Sequence, residues 1–295
     1  MRFFCLCVSL LFVSLLGGLG CGETKEPEPT GPTKGTFRIL SYNVHGLPPG
    51  IAKKEYGNPY ERLEKIGPLS KPFGIIGMQE VFDEKGFNSV TAAKTHTNNV
   101  HFDELKKDRT VNSGLLMLTN LKVLEKKTVH YEKCYGFIDG AGDCFASKGL
   151  QFFRLELGKG LVVDVYNSHL EAGGGDKDKE ARASHVEVIK KSMQAWSKGT
   201  AMLFFADLNL HEFKKDRPDD AKLIQSILKT AGLKDSCEAV NCSDKGRIDR
   251  IFFRSGGGVT LNITKWQMDP IFKDKDGKDL SDHKPIAATL EWKKD

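Results

Sequence analysis

Apolar and polar residues follow two distinct spacings between Thr36 and Trp292. Short apolar runs bounded by Gly, Pro or charged residues predict strands, whereas apolar residues spaced three and four apart predict helices. Helical spacing occurs at 58–69, 177–198 and 219–232, and the last of these stretches ends at a glycine. The stretches with strand patterns are 36–44, 73–81, 113–119, 122–131, 150–170, 201–210, 246–255, 259–267 and 284–292.

Two pairs of strands are predicted to form hairpins. Residues 113–119 and 122–131 are separated by a short connection, and residues 150–170 contain a Gly-Lys-Gly turn. Many strands with interspersed helices predict a mixed α/β domain, built from two packed sheets with helices outside them.

The first 35 residues have a different pattern from the rest of the chain. Residues 1–20 contain Arg2 as their single charged residue, followed by an apolar run and a Gly-rich exit, which is typical of a secretory signal peptide. Cys21 follows directly, and the segment resembles a bacterial lipoprotein signal, in which this cysteine carries the lipid; cleavage without lipidation is the alternative. Residues 21–35 are rich in Pro, Glu and Thr and predict a disordered tether.

The predicted organisation is therefore a signal peptide at 1–20, a tether at 21–35 and one folded domain at 36–295. We expect an exported protein. It is either anchored to a bacterial membrane as a lipoprotein or freely secreted.

Charge and cysteine content add two constraints. The formal net charge of +5 suits an anionic substrate but is too weak to indicate nucleic acid binding. Outside the signal peptide and Cys21, the chain retains Cys134, Cys144, Cys237 and Cys242. An even number of cysteines in an exported protein predicts disulfides, with the local pairs 134–144 and 237–242 expected and four free thiols as the alternative.

Polar and charged residues interrupt or end several predicted strands, where apolar residues would be expected. A buried carboxylate is costly unless it is paired or binds a metal, and a single one is ordinarily a cap or a satisfied polar group. Several at the ends of different strands indicate instead a ligand site at the sheet edge. The residues are Asn43, Glu80, Asn167, His169, Asp207, Asn209, Asp249, Asp282 and His283.

The stretches SYNVHG, MQE, NSHL, ADLN, RIDRIFF and SDHKPI, in this order and spacing, resemble the endonuclease/exonuclease/phosphatase superfamily. The resemblance runs from Thr36 to Trp292. It implies a deoxyribonuclease-like fold, a four-layered α/β sandwich in which two packed mixed β-sheets are flanked by helices. It also implies that residues 36–295 form a catalytic domain that hydrolyses phosphoesters with Mg2+ or another divalent cation such as Mn2+ or Ca2+.

The superfamily pattern implies a role for each of these polar residues. Glu80 matches the metal-binding glutamate, with Asn43 and Asp282 as further groups on the metal side, and such oxygen donors suit Mg2+. His283 matches the general base, and Asp249 matches the carboxylate that fixes its tautomer. The residues expected to bind or orient the phosphate are His169, Asp207, Asn209 and Asn167.

The other histidines are expected to lie outside the site. His45, two residues after Asn43, is expected only to bond a backbone group. The histidines expected at the surface are His96, His101, His130, His185 and His211.

One further segment resembles the neutral and bacterial sphingomyelinases within the superfamily. Residues 135–157 carry Asp143, then Lys148 and Gly149 immediately before a strand. This likeness implies that Lys148 and Asp143 act on the substrate phosphate. It also implies that the substrate is sphingomyelin, a phospholipid, cleaved to ceramide and phosphocholine at a membrane surface. An ordinary loop salt bridge between Asp143 and Lys148 is the alternative.

Other functions fit the sequence less well. A secreted deoxyribonuclease of the same superfamily is the main alternative, but it needs a basic groove for nucleic acid that the net charge does not indicate. An inositol-phosphate phosphatase needs a cluster of basic residues, and only Lys148, Arg247 and Arg250 lie near the motifs. An inactive surface binding module would not need a complete set of metal and base residues. We expect the protein to be a monomer.

Overall fold

The computed structural model of this protein describes residues 31–49, 56–137, 142–244 and 246–295. The predicted signal peptide, Cys21 and most of the predicted tether lie outside the described residues. Within these ranges, no helix is long and apolar enough to cross a membrane.

The first sheet has six strands. In spatial order they are β11 (Val259–Met268), β12 (Ile286–Lys294), β1 (Lys34–Gly46), β2 (Phe73–Val81), β4 (Leu116–Thr119) and β3 (Asn98–His101). β1 and β2 run parallel, whereas the other neighbours are antiparallel. β1 begins two residues before the predicted domain boundary, because Lys34 and Gly35 pair with Lys293 and Trp292 of β12.

The second sheet also has six strands. In spatial order they are β5 (Lys122–His130), β6 (Gly149–Gly158), β7 (Leu161–His169), β8 (Ala201–Asp207), β10 (Asp249–Arg254) and β9 (Lys234–Asp235). β7 and β8 run parallel, and the remaining pairs are antiparallel. The predicted hairpin at 150–170 is confirmed as β6 and β7, which are joined by the Gly-Lys-Gly turn.

In the part of the chain that the structure describes, four α-helices cover the two sheets. They are α1 (Pro59–Leu69), α2 (Glu84–Thr91), α3 (Asp176–Trp196) and α4 (Pro218–Ala231). Leu63 of α1 and Val90 of α2 belong to a core with strands of the first sheet, whereas Ile189 of α3 and Ile224 of α4 belong to a core with strands of the second. A third core joins the inner faces of the two sheets. The predicted four-layered α/β sandwich is therefore confirmed.

The helix ends follow from local chemistry. Asn58 caps α1 by accepting a 3.0 Å hydrogen bond from Tyr60 N, and Pro59 occupies the first helical position, where its missing N–H is not needed. α4 stops where Gly232 adopts a left-handed φ of 64°. These boundaries agree with the predicted helices.

The predicted hairpin at 113–131 is wrong. β4 pairs with β2 and β3 in the first sheet, whereas β5 pairs with β6 in the second. β4 is buried on both faces and β5 alternates between exposed and half-buried positions at a sheet edge. A short connection between two apolar runs therefore does not establish that the runs pair, because here it carries the chain from one sheet to the other.

The two sheets approach each other closely at Gly77, and this leads to a stability prediction. A Cβ atom at Gly77 would lie 2.7 Å from Phe205 Cβ and 3.1 Å from Asn167 Oδ1 across the sheet interface. We expect Gly77→Ala to lower the free energy of unfolding by about 1–3 kcal/mol, since overpacking forces both sheets to shift. Urea denaturation measures the change. Gly246→Ala, where a new Cβ meets nothing within 4 Å, is the matched control. Equal midpoints for Gly77→Ala and the control would contradict the close approach.

Candidate active site

The parallel strand pair of each sheet brings its polar residues to the same end of the sandwich. Asn43 and Glu80 lie near the carboxyl ends of β1 and β2. His169 and Asp207, which are register partners, end β7 and β8. Asp249 opens β10 directly opposite Asp207. Polar groups that are far apart in sequence therefore meet where the two sheets adjoin.

The loop before β12 completes this group. Ser281 Oγ donates a 2.8 Å hydrogen bond to the carbonyl oxygen of Asn43, and the backbone N–H of His283 donates to Ser281 Oγ at 3.2 Å. These two bonds fix Asp282 and His283 against β1.

The side-chain amide of Asn43 joins the two sheets. Its Nδ2 donates to Glu80 Oε1 and to Asp207 Oδ2, both at 2.9 Å, while its Oδ1 accepts from the backbone N–H of His45 at 3.0 Å. Burial raises the pKa of Glu80 to about 7, against the lowering effect of the bond from Asn43. Asn43 thus orients two carboxylates through Nδ2, while its Oδ1 is occupied by a backbone N–H.

Asp249 orients the imidazole of His283. Its Oδ2 lies 2.8 Å from His283 Nδ1, and His283 Nε2 lies 3.8 Å from Asp207 Oδ2. Burial lowers the pKa of His283, but the bond to Asp249 and the charges of Asp249, Asp207 and Glu80 outweigh it and raise the pKa to about 10. Burial and the charge of Asp207 raise the pKa of Asp249 to about 6.

His169 lies at the centre of a second group of contacts. Its Nε2 lies 3.5 Å from Asp207 Oδ2, 3.2 Å from Asn209 Nδ2 and 3.4 Å from Lys148 Nζ. Burial, with a contribution from the charge of Lys148, lowers the pKa of His169 to about 4, so this imidazole is neutral at physiological pH.

Lys148 forms a buried ion pair with Asp143. The Nζ lies 2.7 Å from Asp143 Oδ1 and donates to the carbonyl oxygen of Leu170 at 2.8 Å. Asp143 also accepts a hydrogen bond from Ala172 N, and its neighbour Cys144 is joined to Cys134. Because Lys148 Nζ also lies 3.4 Å from His169 Nε2, the ion pair adjoins the group formed by His169, Asp207 and Asn209.

Both predicted local disulfides are present. Cys134 is joined to Cys144 and Cys237 to Cys242, so the predicted pairing is confirmed.

No protein-family model matches the chain. Among curated proteins, the chain is 25% identical over 290 residues to a sphingomyelinase of Mycobacterium tuberculosis, with 90% of this chain and 54% of that protein covered. A sphingomyelinase of Mycobacterium bovis matches with the same identity and coverage. The chain thus spans about half the length of the curated relatives it matches.

Solved structures share the fold over most of the chain. Sphingomyelinase C of Streptomyces griseocarneus superposes with a TM-score of 0.62 at 16% identity, covering 86% of this chain and 99% of that one. A Staphylococcus aureus beta toxin with bound magnesium ions gives 0.60 at 16% identity, covering 86% and 99%. The chain shares the fold of these two structures. A humanized D. rerio TDP2 gives 0.61 at 18% identity, covering 86% and 98%, so the same fold also occurs in a protein with a different name.

These similarities confirm the predicted fold class and the resemblance to the endonuclease/exonuclease/phosphatase superfamily and its sphingomyelinase branch.

The structure buries Asn167 between the sheets, contrary to its predicted role in binding substrate. Its side chain is fully buried between the sheets, where Nδ2 donates to the carbonyl oxygens of Met78 at 2.9 Å and Leu116 at 3.3 Å. Its Oδ1 accepts from Gln79 Nε2 at 2.8 Å. The amide therefore ties β7 to β2 and β4, and a polar residue at a strand end serves here as a link between sheets.

Three histidines differ from the sequence prediction. His96 and His185 are buried rather than at the surface, and each lies 2.7 Å from a backbone carbonyl oxygen through Nε2. His45 is buried at the active site, where its Nδ1 lies 3.3 Å from Asp282 Oδ1 and 3.7 Å from Glu80 Oε2. The signal that sequence reasoning could have used was the position of His45 in the same strand-end motif as Asn43.

Two groups of side chains have donor atoms suited to a cation. Asp207, Asp249 and His283 place one such atom each within 4.8 Å of one another, but His283 and Asp249 already share a hydrogen bond. Glu80 Oε2 and Asp249 Oδ1 are both buried and have no hydrogen-bond partner among the described residues. A buried carboxylate oxygen without a donor fits a site for a hard cation. Glu80 and Asp249 therefore each offer such an oxygen to a cation, and the group with three donor atoms close together among the described residues is Asp207, Asp249 and His283.

Proposed function

We propose that this protein is an exported phosphodiesterase that cleaves sphingomyelin to ceramide and phosphocholine with the help of a divalent cation. The observation that carries the proposal is the position of the Lys148–Asp143 ion pair, because Lys148 Nζ lies 3.4 Å from His169 Nε2 beside the carboxylate cluster. Similarity to proteins named sphingomyelinase supports the same substrate. In this proposal the enzyme is a monomer that acts on phospholipid at a membrane surface.

Glu80 and Asp282 hold the cation in this proposal, and Asn43 orients Glu80 through its 2.9 Å hydrogen bond. Mg2+ suits these carboxylate oxygens, with Mn2+ and Ca2+ as the alternatives. When bound, the cation offsets the charge of the phosphate and lowers the pKa of His283 from about 10 toward neutrality.

His283 is the general base that accepts a proton from the attacking water. Because Nδ1 is bonded to Asp249, the nitrogen available for proton transfer is Nε2. Asp249 fixes this tautomer and stabilises the imidazolium that forms. Asp207, Asn209 and the neutral His169 form the wall against which the phosphate is oriented.

Lys148 binds a phosphate oxygen by exchanging partners. Its side chain is only 4% exposed, so the ammonium needs a counter-ion at all times, and Asp143 supplies one before substrate binds. An entering phosphate then takes the place of Asp143 as the counter-ion of Lys148.

The first test concerns the base. We expect His283→Ala to lower kcat by about 10²–10⁴-fold while the protein still folds and binds divalent cations, since His283 only transfers a proton. Hydrolysis of sphingomyelin at neutral pH measures the loss, and circular dichroism checks the fold. Activity within a few-fold of the unmodified enzyme would contradict the role of His283.

The second test concerns the substrate. We expect Lys148→Ala to reduce phosphocholine release from sphingomyelin vesicles by about 10–100-fold, the effect of losing one charge-assisted contact to phosphate. Lys191→Ala, which removes an exposed lysine on α3, is the matched control and should have no effect. Nicking of supercoiled DNA is measured with the same preparation. Metal-dependent nicking without phosphocholine release would instead support the deoxyribonuclease alternative.

The third test concerns localisation. We propose that Cys21 carries a lipid and that the protein partitions with membranes. Cys21→Ser should then release the exported protein to the soluble fraction, and mass spectrometry of the mature N-terminus measures the modification directly. An unmodified N-terminus on the exported protein would contradict the anchor.

A further inference from the structure

Glu171, two residues after His169, has a fully buried carboxyl group. Its Oε1 accepts a 2.6 Å hydrogen bond from the backbone N–H of Tyr135. Its Oε2 is buried and has no hydrogen-bond partner among the described residues. An ionised carboxylate in such a place is costly unless a cation pairs with it, whereas a protonated carboxyl group avoids most of that cost.

Two buried cations lie near this carboxyl group, but both are directed elsewhere. Lys148 Nζ contacts Asp143 Oδ1 at 2.7 Å and donates to the carbonyl oxygen of Leu170 at 2.8 Å. Arg182 Nη1 donates at 3.0 Å to each of the carbonyl oxygens of residues 171–173. Neither cation forms an ion pair with Glu171 in the described part of the chain.

The segment that carries Glu171 also holds the loop that carries Asp143. The backbone N–H of Ala172 donates to Asp143 Oδ2 at one end of this disulfide-closed loop. The bond from Tyr135 to Glu171 holds the other end. Glu171 is thus placed to affect the ion pair between Asp143 and Lys148.

The buried charges that face Glu171 balance one another without it. Among the described residues they are two carboxylates and two cations, contributed by the loop before β6 and by α3: Asp143, Lys148, Asp178 and Arg182. His185 of α3 is neutral, since burial lowers its pKa to about 3, while Arg217 and Asp220 at the start of α4 act on Arg182 with opposite charges. An ionised Glu171 would therefore add an uncompensated negative charge. Burial and the charge of Asp143 raise the pKa of Glu171 to about 7, against the lowering effect of Lys148.

We propose that Glu171 is a positioning residue that keeps a proton in the substrate complex, so that Lys148 leaves one carboxylate rather than two when it binds the phosphate. The inference rests on the proposed function, because it requires Lys148 to exchange Asp143 for phosphate. Once Lys148 is paired with phosphate, its charge opposes protonation of Glu171 less, so the complex holds the proton more tightly than the free enzyme. The competing interpretation is that Glu171 only anchors the loop at Tyr135.

The pH dependence of KM tests this role, with p-nitrophenylphosphocholine as a soluble phosphodiester substrate and Mg2+ present. Above about pH 7, Glu171 ionises in the free enzyme and must regain its proton when substrate binds. We therefore expect KM of the unmodified protein to rise by as much as about tenfold for each pH unit above that value, with kcat following His283 separately. KM should stay level in Glu171→Gln, which cannot ionise but keeps an oxygen for the N–H of Tyr135.

Glu132→Gln is the matched control for these measurements. It removes a carboxylate whose side chain is 81% exposed and which pairs with Lys106. The rise of KM with pH should persist in this variant.

Infrared spectroscopy without substrate or cation tests the proton itself. At about pH 6, the spectrum of the unmodified protein minus that of Glu171→Gln should contain the carbonyl stretch of a protonated carboxyl group, and at about pH 9 this band should be absent. Signals from Glu80 and Asp249 are present in both proteins and cancel in the difference.

Three outcomes would overturn the inference. They are a level KM in the active unmodified protein, a rise of KM that survives in Glu171→Gln, and absence of the infrared band at about pH 6. The first needs no variant and therefore does not depend on the folding of Glu171→Gln. Absence of hydrolysis at every pH would overturn the proposed function as well, and so separates that failure from failure of the Glu171 assignment alone.

Discussion

The hydrogen bonds donated by one amide, that of Asn43, hold together the two halves of the active site. Glu80 comes from the first sheet and Asp207 from the second, and the same Nδ2 donates to both at 2.9 Å. Two buried carboxylates at this distance from one donor repel each other in a medium of low dielectric, so each needs further partners. Asp207 has the backbone N–H of Asn209 at 3.0 Å and His283 Nε2 at 3.8 Å, and Glu80 has His45 Nδ1 at 3.7 Å.

The chemistry proposed for the site follows from this excess of buried negative charge. Burial raises the pKa of Glu80 to about 7, and the surrounding carboxylates raise that of His283 to about 10, against the effect of its own burial. In the proposed function, a divalent cation bound by Glu80 would relieve both effects at once. This arrangement requires strained backbone. In the part of the chain that the structure describes, five non-glycine residues have positive φ, and three of them are His45, Glu80 and Asn209.

Much of this architecture could be predicted from the sequence, because strand ends with polar residues are visible in the apolar pattern. β1, β2 and the β6–β7 hairpin were predicted, as were the residues that meet around Asp207. The sheet to which β4 and β5 belong could not be predicted, since alternation gives the faces of a strand but not its partners. The role of Asn167 depends on its hydrogen bond to Met78, and the position of His45 depends on Arg62, which also bonds Leu280; these contacts join residues that are far apart in sequence.

The central claim is that Glu80 and Asp282 hold a divalent cation. Anomalous diffraction from crystals soaked in Mn2+ tests this claim most directly. We expect an anomalous peak within bonding distance of Glu80 and Asp282, with the hydrogen bond between His283 and Asp249 preserved. A peak bonded instead to Asp207, Asp249 and His283, or no peak at the cluster, would contradict it.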